Sequence, residues 1–313
     1  MLTDLTNLDK AANILKESGL VASPTETVYG LCANALDTKA VEKIYIAKGR
    51  PSDNPLIVHI ADLNMLESLV TDISPSAKKL MDNFWPGPMT IVFNASNNVP
   101  KIVTGGLNTV AIRFPSHPVI QNLIKTSGLP LAAPSANTSG KPSPTNASRV
   151  IEDLTGKIDC IIIGDNCKYG VESTVVDTTS KPATLLRPGG ITYEMLKDVL
   201  PEVTIDPALG HALQKGEVPK SPGMKYTHYS PNADVFIVKG DINKVTHKIN
   251  ALVVDAMNKN QKVGILATDE TIQFFNADLV LSAGTSFNLS TIASNLFETL
   301  RAFDDAKIDI VYS

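Results

Sequence analysis

The spacing of hydrophobic and polar residues divides the chain into a regular C-terminal region and a less regular N-terminal one. Residues 232–313 carry four short apolar runs separated by helical segments. The first of these helices has an apolar stripe: Ile242, Val245, Ile249, Leu252, Val253, Ala256 and Met257. This βαβαβαβ order predicts a small parallel, Rossmann-like sheet. A Gly-x-Gly-x-x-Gly fingerprint is missing from the region, so the pattern gives no support for dinucleotide binding.

Residues 1–205 mix helical and strand-like patterns without regular βα units. Helices are predicted near residues 8–18, 38–47, 75–84, 117–126 and 192–200. Ser74 and Ser116 are the expected starts of two of them, and Gly128 is an expected stop. Strands are predicted at 56–60, 89–93, 109–114, 160–164 and 173–177. Because strands outnumber βα units, the region is expected to form a mixed α/β sheet.

Composition and cysteine usage point to a globular protein of a reducing compartment. The chain is 43% hydrophobic and 19% charged, and no stretch approaches the ~18 consecutive apolar residues of a membrane span. Its amino terminus shows no secretory signal. Three cysteines without Cys-x-x-Cys spacing indicate small buried hydrophobes rather than disulfides or zinc ligands. A cytoplasmic protein without membrane association is therefore expected.

The net charge of −4 offers no general attraction for nucleic acid. Neither region of the chain is basic, so any site for a polyanion must be a local pocket. Strong direct binding to nucleic acid is not expected.

Two cations, Lys48 and Arg50, follow a predicted helix in the segment KGRPSDNP. One interpretation is a helix C-terminus whose dipole is complemented by basic side chains. The other is a phosphate clamp, since arginine offers a planar fork and lysine a point charge. Asn54, which precedes a proline, is equally suited to a turn. The segment alone leaves both interpretations open.

Arg113 and His59 lie in predicted strands, where alternation places them on particular faces. In TVAIRFP, Arg113 shares a face with Thr109 and Ala111, opposite the apolar residues. That face is either solvated, or buried so that the guanidinium grips a carboxylate. His59 in LIVHI presents the same choice between packing and contact with a ligand.

Two polar segments beside strands have the composition of ligand-binding loops. APSANTSGKPS combines small residues with hydroxyl and N–H groups that can cradle phosphate oxygens, although Pro/Ser loops are also common turns. In GVESTVVD, Ser173 precedes an apolar pair, as a strand-edge hydroxyl or a substrate contact. Neither segment decides the function by itself.

Taken together and in order, the polar segments resemble the YrdC/Sua5 family of threonylcarbamoyl-AMP synthases. The resemblance covers nearly all of residues 10–205 and rests on seven motifs: PTETVYGL, KGRPSDNPLIVHI, WPGPMTIVF, VAIRFPSHP, APSANTSGKPSPT, GVESTVVD and LLRPGG. The segment SPGMKYTHYSP and the small α/β region resemble the longer, Sua5-type members. This implies a YrdC-like twisted mixed-sheet catalytic domain over 1–205, a linker over 206–231, and a small Rossmann-like parallel α/β Sua5 domain over 232–313.

The resemblance also implies a reaction, in which L-threonine, bicarbonate or CO2, and ATP give threonylcarbamoyl-AMP and pyrophosphate. Family members pass this product to a tRNA threonylcarbamoyl transferase that modifies adenosine 37 of ANN-decoding tRNAs. Mg²⁺ is expected with the nucleotide, held by phosphates and water rather than by a protein metal site. No general base is apparent in the sequence.

Residue roles follow from the same resemblance. Lys48 and Arg50 are the expected catalytic cations. The expected ATP contacts are Lys48, Arg50, Asn54, Thr109, Ala133, Ser135, Ser143 and Arg187, with Asn137 in support. The expected L-threonine contacts are Thr27, His59, Arg113 and Ser173. The linker segment SPGMKYTHYSP is expected to act as a lid, with Tyr226 reaching the ATP site.

Two other functions remain open at this point. A double-stranded RNA-binding module shares this fold, but it needs basic surface that the charge balance does not provide. A carbamoyl transferase acting on carbamoyl phosphate is the second alternative, since related domains occur in hydrogenase maturation proteins. Pyrophosphate release that depends on threonine distinguishes the synthase from both.

Overall fold

The computed structural model describes residues 2–3, 8–209 and 230–313. The chain divides into two compact units, Met1–Ser139 with Pro144–Thr227, and Gly140–Ser143 with His228–Ser313. Within the described ranges, no helix combines the length and the hydropathy needed to cross a membrane. Tyr226 and the rest of residues 221–229 of the predicted lid segment lie outside the described residues.

Eleven strands of the described residues form one mixed sheet in the first unit. They are β1 (Leu2–Thr3), β2 (Val21–Ser23), β3 (Gly30–Asn34), β4 (Ile57–His59), β5 (Met89–Asn94), β6 (Thr109–Arg113), β7 (Leu131–Ala132), β8 (Cys160–Ile162), β9 (Thr174–Asp177), β10 (Thr184–Arg187) and β11 (Thr204–Ile205). Their spatial order is β1-β8-β2-β3-β7-β4-β6-β5-β9-β10-β11. The five predicted strands are confirmed, and the others are too short or too uniformly apolar to show a period of two.

Helices cover this sheet, and most begin and end at recognisable capping residues. They are α1 (Leu8–Lys16), α2 (Thr38–Lys48), α3 (Leu63–Leu69), α4 (Pro75–Phe84), α5 (Lys101–Thr104), α6 (Pro118–Ser127), α7 (Ala147–Leu154) and α8 (Tyr193–Val199). Ser74 caps α4 through Ala77 N–H, and Gly128 ends α6 in the left-handed conformation, as predicted. The prediction for Ser116 is wrong, because His117 caps α6 while Ser116 N–H donates to the Glu26 carboxylate.

The order of the central strands positions the candidate site. Strand β4 pairs in parallel with β6, which places His59 opposite Arg113. Strand β5 runs antiparallel on the other side of β6, with Thr90 opposite Arg113. Strand β9 then pairs in parallel with β5, and Ser173 immediately precedes it. Polar residues on or directly before four neighbouring strands therefore reach the same end of the sheet.

Both faces of β6 are buried, which decides between the two interpretations of its polar face. Val110 and Ile112 belong to the main apolar core, whereas Ala111 packs with Ile57 and Val92 in a separate cluster. Arg113 is only 4% exposed. A solvated guanidinium is therefore excluded, and Arg113 must find partners inside the protein.

The second unit follows the predicted βαβαβαβ order. Its elements are β12 (Asp234–Phe236), α9 (Ile242–Met257), β13 (Val263–Ala267), a 3-10 turn (Ile272–Phe274), β14 (Leu279–Ser282), α10 (Leu289–Asp305) and β15 (Ile310–Tyr312). All strand pairs are parallel, in the order β12-β15-β13-β14. The central residues of the apolar stripe of α9 are buried: Ile249, Val253 and Ala256. Its ends, Ile242 and Met257, are exposed.

The three cysteines are buried and free, as predicted. Burial raises the pKa of the Cys32 and Cys167 thiols to about 12. Both are therefore protonated at neutral pH and poor nucleophiles.

Candidate active site

Four predicted substrate contacts gather at the end of the central strands, and we call them the strand cluster: Thr27, His59, Arg113 and Ser173. Arg113 organises this group. Its Nη1 donates to Thr27 Oγ1 at 2.8 Å, and its Nε donates to the carbonyl of Gly87 at 3.3 Å. Nη1 keeps one further N–H, and Nη2 makes no well-aligned hydrogen bond to any described residue. The guanidinium is thus fixed in place and still has donors for a ligand.

Glu26 is the partner of Arg113 that the sequence analysis missed. Its Oε1 lies 2.6 Å from Arg113 Nη2, and both side chains are almost fully buried. Burial pushes the pKa of Glu26 up, but the charge and hydrogen bond of Arg113 outweigh this and the net pKa is lowered. An ionised Glu26 at neutral pH follows. The available signal was an acidic residue between two threonines in PTETVYGL, directly before the buried strand β3.

His59 is buried and neutral at physiological pH. Burial lowers its pKa to about 3, and the nearby charge of Arg113 acts in the same direction. Its Nδ1 lies 3.4 Å from the carbonyl of Ile57, a long contact that favours a proton on Nδ1. His59 then presents Nε2 as a hydrogen-bond acceptor.

Ser173, a predicted threonine contact, is hydrogen-bonded to Arg187, a predicted ATP contact. Its hydroxyl lies 2.7 Å from Thr90 Oγ1 and accepts from Arg187 Nη2 at 3.1 Å. Arg187 also donates to the carbonyl of Ser173 through Nε and Nη2. Gly189 permits this approach, because a Cβ there would lie 2.3 Å from the carbonyl of Glu172.

A second group of predicted residues lies around the end of α2 and the segment after β7. We call it the loop cluster: Lys48, Arg50, Asn54, Ser135 and Asn137. Lys48, the last residue of α2, donates from Nζ to the carbonyl oxygens of Ser135 at 2.5 Å and Asn137 at 2.6 Å. It is 2% exposed, so it is not a solvated charge at a helix end. Ser135 Oγ in turn donates to Asn137 Oδ1 at 2.6 Å.

Arg50 and Asn54 occupy the turn that follows α2. Gly49 ends the helix at a φ of 62°, which redirects the chain so that Arg50 points inward. Arg50 Nη2 donates to the carbonyl of Pro55 at 3.0 Å and lies 3.5 Å from the carbonyl of Asn54. Both Arg50 and Asn54 are buried. A buried guanidinium and ammonium therefore flank this loop.

The remaining predicted contacts do not all join these clusters. Thr109 begins β6, four residues before Arg113, or about 13 Å along the strand. Ala133 follows β7, and its N–H donates to the carbonyl of Ile57. Ser143 is fully buried but belongs to Gly140–Ser143, which groups with the second unit. Tyr226 is not among the described residues.

Comparisons with known proteins assign the chain to a family. The model described as Telomere recombination, for Sua5, YciO and YrdC proteins, matches residues 13–189. The model described as Threonylcarbamoyl-AMP synthase, C-terminal domain, matches residues 191–313. The chain is a two-part α/β protein, and buried cationic and hydroxyl side chains lie at the strand ends of its mixed sheet. The chain belongs to the Sua5/YciO/YrdC family and carries the Sua5 C-terminal domain.

Individual relatives agree over nearly the whole chain. A threonylcarbamoyl-AMP synthase of Pyrococcus abyssi is 48% identical over 302 residues, covering 96% of this chain and 86% of that protein. One of Bacillus subtilis is 47% identical, covering 99% of this chain and 88% of that protein. A crystal structure of P. abyssi Sua5 complexed with L-threonine superposes with a TM-score of 0.94 at 45% identity, covering 100% of this chain and 91% of that one. The predicted fold class, family and enzyme class are confirmed.

Proposed function

We propose that this protein is a threonylcarbamoyl-AMP synthase that converts L-threonine, bicarbonate or CO2, and ATP into threonylcarbamoyl-AMP and pyrophosphate. One observation carries the proposal: Arg187, predicted to bind ATP, is hydrogen-bonded to Ser173, predicted to bind threonine. The reaction requires that a carbamate oxygen, formed on the amino group of threonine, comes within bonding distance of the α-phosphorus. The hydrogen bonds between a predicted ATP contact and a predicted threonine contact support this geometry.

The strand cluster is proposed to hold threonine. Arg113 offers two N–H groups at a fixed position, which suits a carboxylate. His59 offers an acceptor to a ligand hydroxyl or amine, and Thr27 and Ser173 add hydroxyl groups. Such a preorganised polar pocket orients a small substrate at little entropic cost.

The loop cluster, together with Arg187, is proposed to bind the nucleotide. The threonine amine takes up CO2 as a carbamate and releases a proton, and a carbamate oxygen then attacks the α-phosphorus while the bond to pyrophosphate breaks. Negative charge grows on phosphate oxygens, so fixed positive charge from Lys48 and Arg50 lowers the barrier. The proposed nucleotide contacts also include Thr109, Ala133 and Ser143, with Asn137 in support.

Mg²⁺ is proposed to enter with ATP. The described residues contain no group of three or more His, Cys, Asp and Glu suited to a metal. We propose that the phosphates and water hold the ion, which is usual for Mg²⁺. When bound, it would neutralise charge on the leaving pyrophosphate.

The two family matches, over residues 13–189 and 191–313, support two successive domains. We propose that the chain consists of a catalytic domain over 1–205, a linker over 206–231 and a Sua5 domain over 232–313. We propose that the product passes to a tRNA threonylcarbamoyl transferase. The contact of Tyr226 with ATP rests on the sequence resemblance alone.

The test is pyrophosphate release by the full chain with ATP and Mg²⁺. Release should require both L-threonine and bicarbonate, and omission of either should abolish it. Activity with carbamoyl phosphate in place of threonine and bicarbonate would favour a carbamoyl transferase. Tight, steeply salt-dependent binding of double-stranded RNA without pyrophosphate release would favour an RNA-binding module.

A further inference from the structure

Glu26 has a carboxylate oxygen that the fold itself does not use. The residue lies between β2 and β3 and is 5% exposed. Oε1 is occupied by the ion pair with Arg113 and by the N–H of Ser116 at 3.1 Å. Oε2 is buried and accepts no hydrogen bond from any residue that the structure describes.

Such an oxygen is costly unless a donor reaches it. A buried acceptor of an ionised carboxylate loses its hydration, and the loss is compensated only by hydrogen bonds from protein, water or ligand. Buried polar atoms without partners are rare in native proteins and often mark functional sites. Oε2 therefore marks a position where a ligand can place an N–H or O–H group.

The charge balance around Arg113 restricts the kind of ligand. Arg113 and Glu26 neutralise each other, and His59 is uncharged at neutral pH. A ligand that brings only a carboxylate to Arg113 would leave two carboxylates sharing one guanidinium. A zwitterion restores the balance, because its ammonium group can take Glu26 while its carboxylate takes Arg113.

We propose that Glu26 binds the α-amino group of the threonine substrate through Oε2, and that the Arg113–Glu26 pair is the complement of the amino-acid zwitterion. This inference rests on the proposed function. It adds a substrate contact outside the predicted set and explains why a buried arginine meant for a ligand carboxylate keeps a carboxylate of its own. The contact also directs the amino nitrogen, which is the atom that must react with CO2.

The first experiment compares ligands on the full-length wild type and on Glu26→Gln by calorimetry. The ligands are L-threonine, L-2-aminobutanoate, which lacks the hydroxyl, and (R)-3-hydroxybutanoate, which lacks the amino group. Glu26→Gln should weaken both amino acids by at least about tenfold, as expected when one partner of a buried charged contact is lost. It should leave (R)-3-hydroxybutanoate unchanged or bound more tightly.

Three outcomes would overturn the inference. Equal weakening of all three ligands would mean that Glu26 only positions Arg113. Weakening of threonine without weakening of L-2-aminobutanoate would assign Oε2 to the hydroxyl. Unchanged threonine binding would remove Glu26 from the site. If the wild type itself fails to bind threonine, the proposed function fails instead, so the two ideas are separable.

Glu152→Gln is the matched control, because Glu152 lies on α7 and pairs with Arg149. It should bind all three ligands as the wild type does. A second measurement needs no variant and covers misfolding of Glu26→Gln. In a crystal of the wild type with L-threonine, the amino nitrogen should lie within hydrogen-bonding distance of Glu26 Oε2, about 3 Å. An amino nitrogen placed elsewhere would overturn the inference.

Discussion

The strand cluster and the loop cluster both bury a cation, but they hold it by different means. Arg113 ends a strand that is paired on both sides, and its charge is balanced by Glu26. Lys48 ends a helix and reaches carbonyl oxygens of the segment that follows β7. The first cation is positioned by the register of a sheet, and the second depends on the conformation of a loop. Substitutions in the strand cluster should therefore disturb the balance of buried charge. Substitutions in the loop cluster should lower the rate of the reaction.

Arg113→Ala should have the largest effect, because it removes the predicted partner of the threonine carboxylate. Threonine binding should weaken by about 2–4 kcal/mol, the usual cost of removing one partner of a buried charged pair. ATP affinity should change little. Calorimetry with each ligand measures both quantities, and an intact threonine affinity would contradict the assignment.

Loss of fold is the main confounding effect, since Arg113→Ala leaves Glu26 as an uncompensated buried charge. The double variant Arg113→Met with Glu26→Gln removes both charges together. Its stability should recover relative to Arg113→Ala, whereas threonine binding should remain lost. Recovery of binding together with stability would show that the arginine acts only on the fold.

His59 provides a pH test of the strand cluster. The unfolded chain takes up a proton near pH 6.5, but the buried His59 has a pKa of about 3. Below pH 6.5 the unfolded state therefore binds more protons, and the native state loses stability as the pH falls. Between pH 7 and pH 5 this contribution amounts to about 2 kcal/mol.

His59→Gln should lack that contribution, so its free energy of unfolding should fall less between pH 7 and pH 5 than that of the wild type. Urea denaturation at the two pH values measures the difference. The same exchange at His247, which is exposed on α9, is the control and should keep the wild-type dependence. An equally steep fall in His59→Gln would show that the ring is protonated inside the protein.

Arg50→Lys tests the loop cluster, where we expect a lower turnover although the positive charge is kept. Lysine keeps the charge but loses the planar fork that can grip phosphate oxygens in pairs. We expect turnover at least about tenfold lower, or about 1.4 kcal/mol in the barrier, with threonine binding unchanged. Pyrophosphate release measures the rate. Wild-type turnover would return the segment KGRPSDNP to the role of a helix end.

Thr90→Val should have the smallest effect, and it tests whether Thr90 contributes to threonine binding through Ser173. It removes the 2.7 Å hydrogen bond between Thr90 and Ser173 without changing the side-chain volume much. Stability should fall by about 1 kcal/mol, with a comparable weakening of threonine binding. Thr178→Val, which removes a buried hydroxyl bonded to the carbonyl of Val92, is the control. It should cost similar stability and leave threonine binding intact.

Much of the fold was predictable because local patterns were sufficient. In the second unit, apolar residues repeat alternately with the period of a strand and the period of a helix. These patterns predicted its order of elements, and all its strands are present as predicted. In the first unit, α3 and α7 were missed because α3 is short and α7 begins just beyond the Pro-rich stretch. Strands β2, β3 and β7 were missed because buried strands lack alternation.

The site was predictable in part. The motifs named Arg113, Lys48 and their neighbours as candidates, and the structure places these residues in two buried clusters. Glu26 was not predicted, because the sequence of a polar segment does not show whether an acidic residue is solvated or ion-paired. Its partner is distant in the sequence, so spacing along the chain carries no sign of the contact.

The sequence by itself determined where the elements of the second unit lie and which face of β6 carries Arg113, since both follow from local periodicity. The tertiary structure alone decided that this face is buried, that Glu26 neutralises Arg113, and that Ser173 meets Arg187. The physical reason is that strand register and long-range packing set which side chains share a buried volume. Burial in turn fixes their charge states, as the pKa of His59 near 3 illustrates.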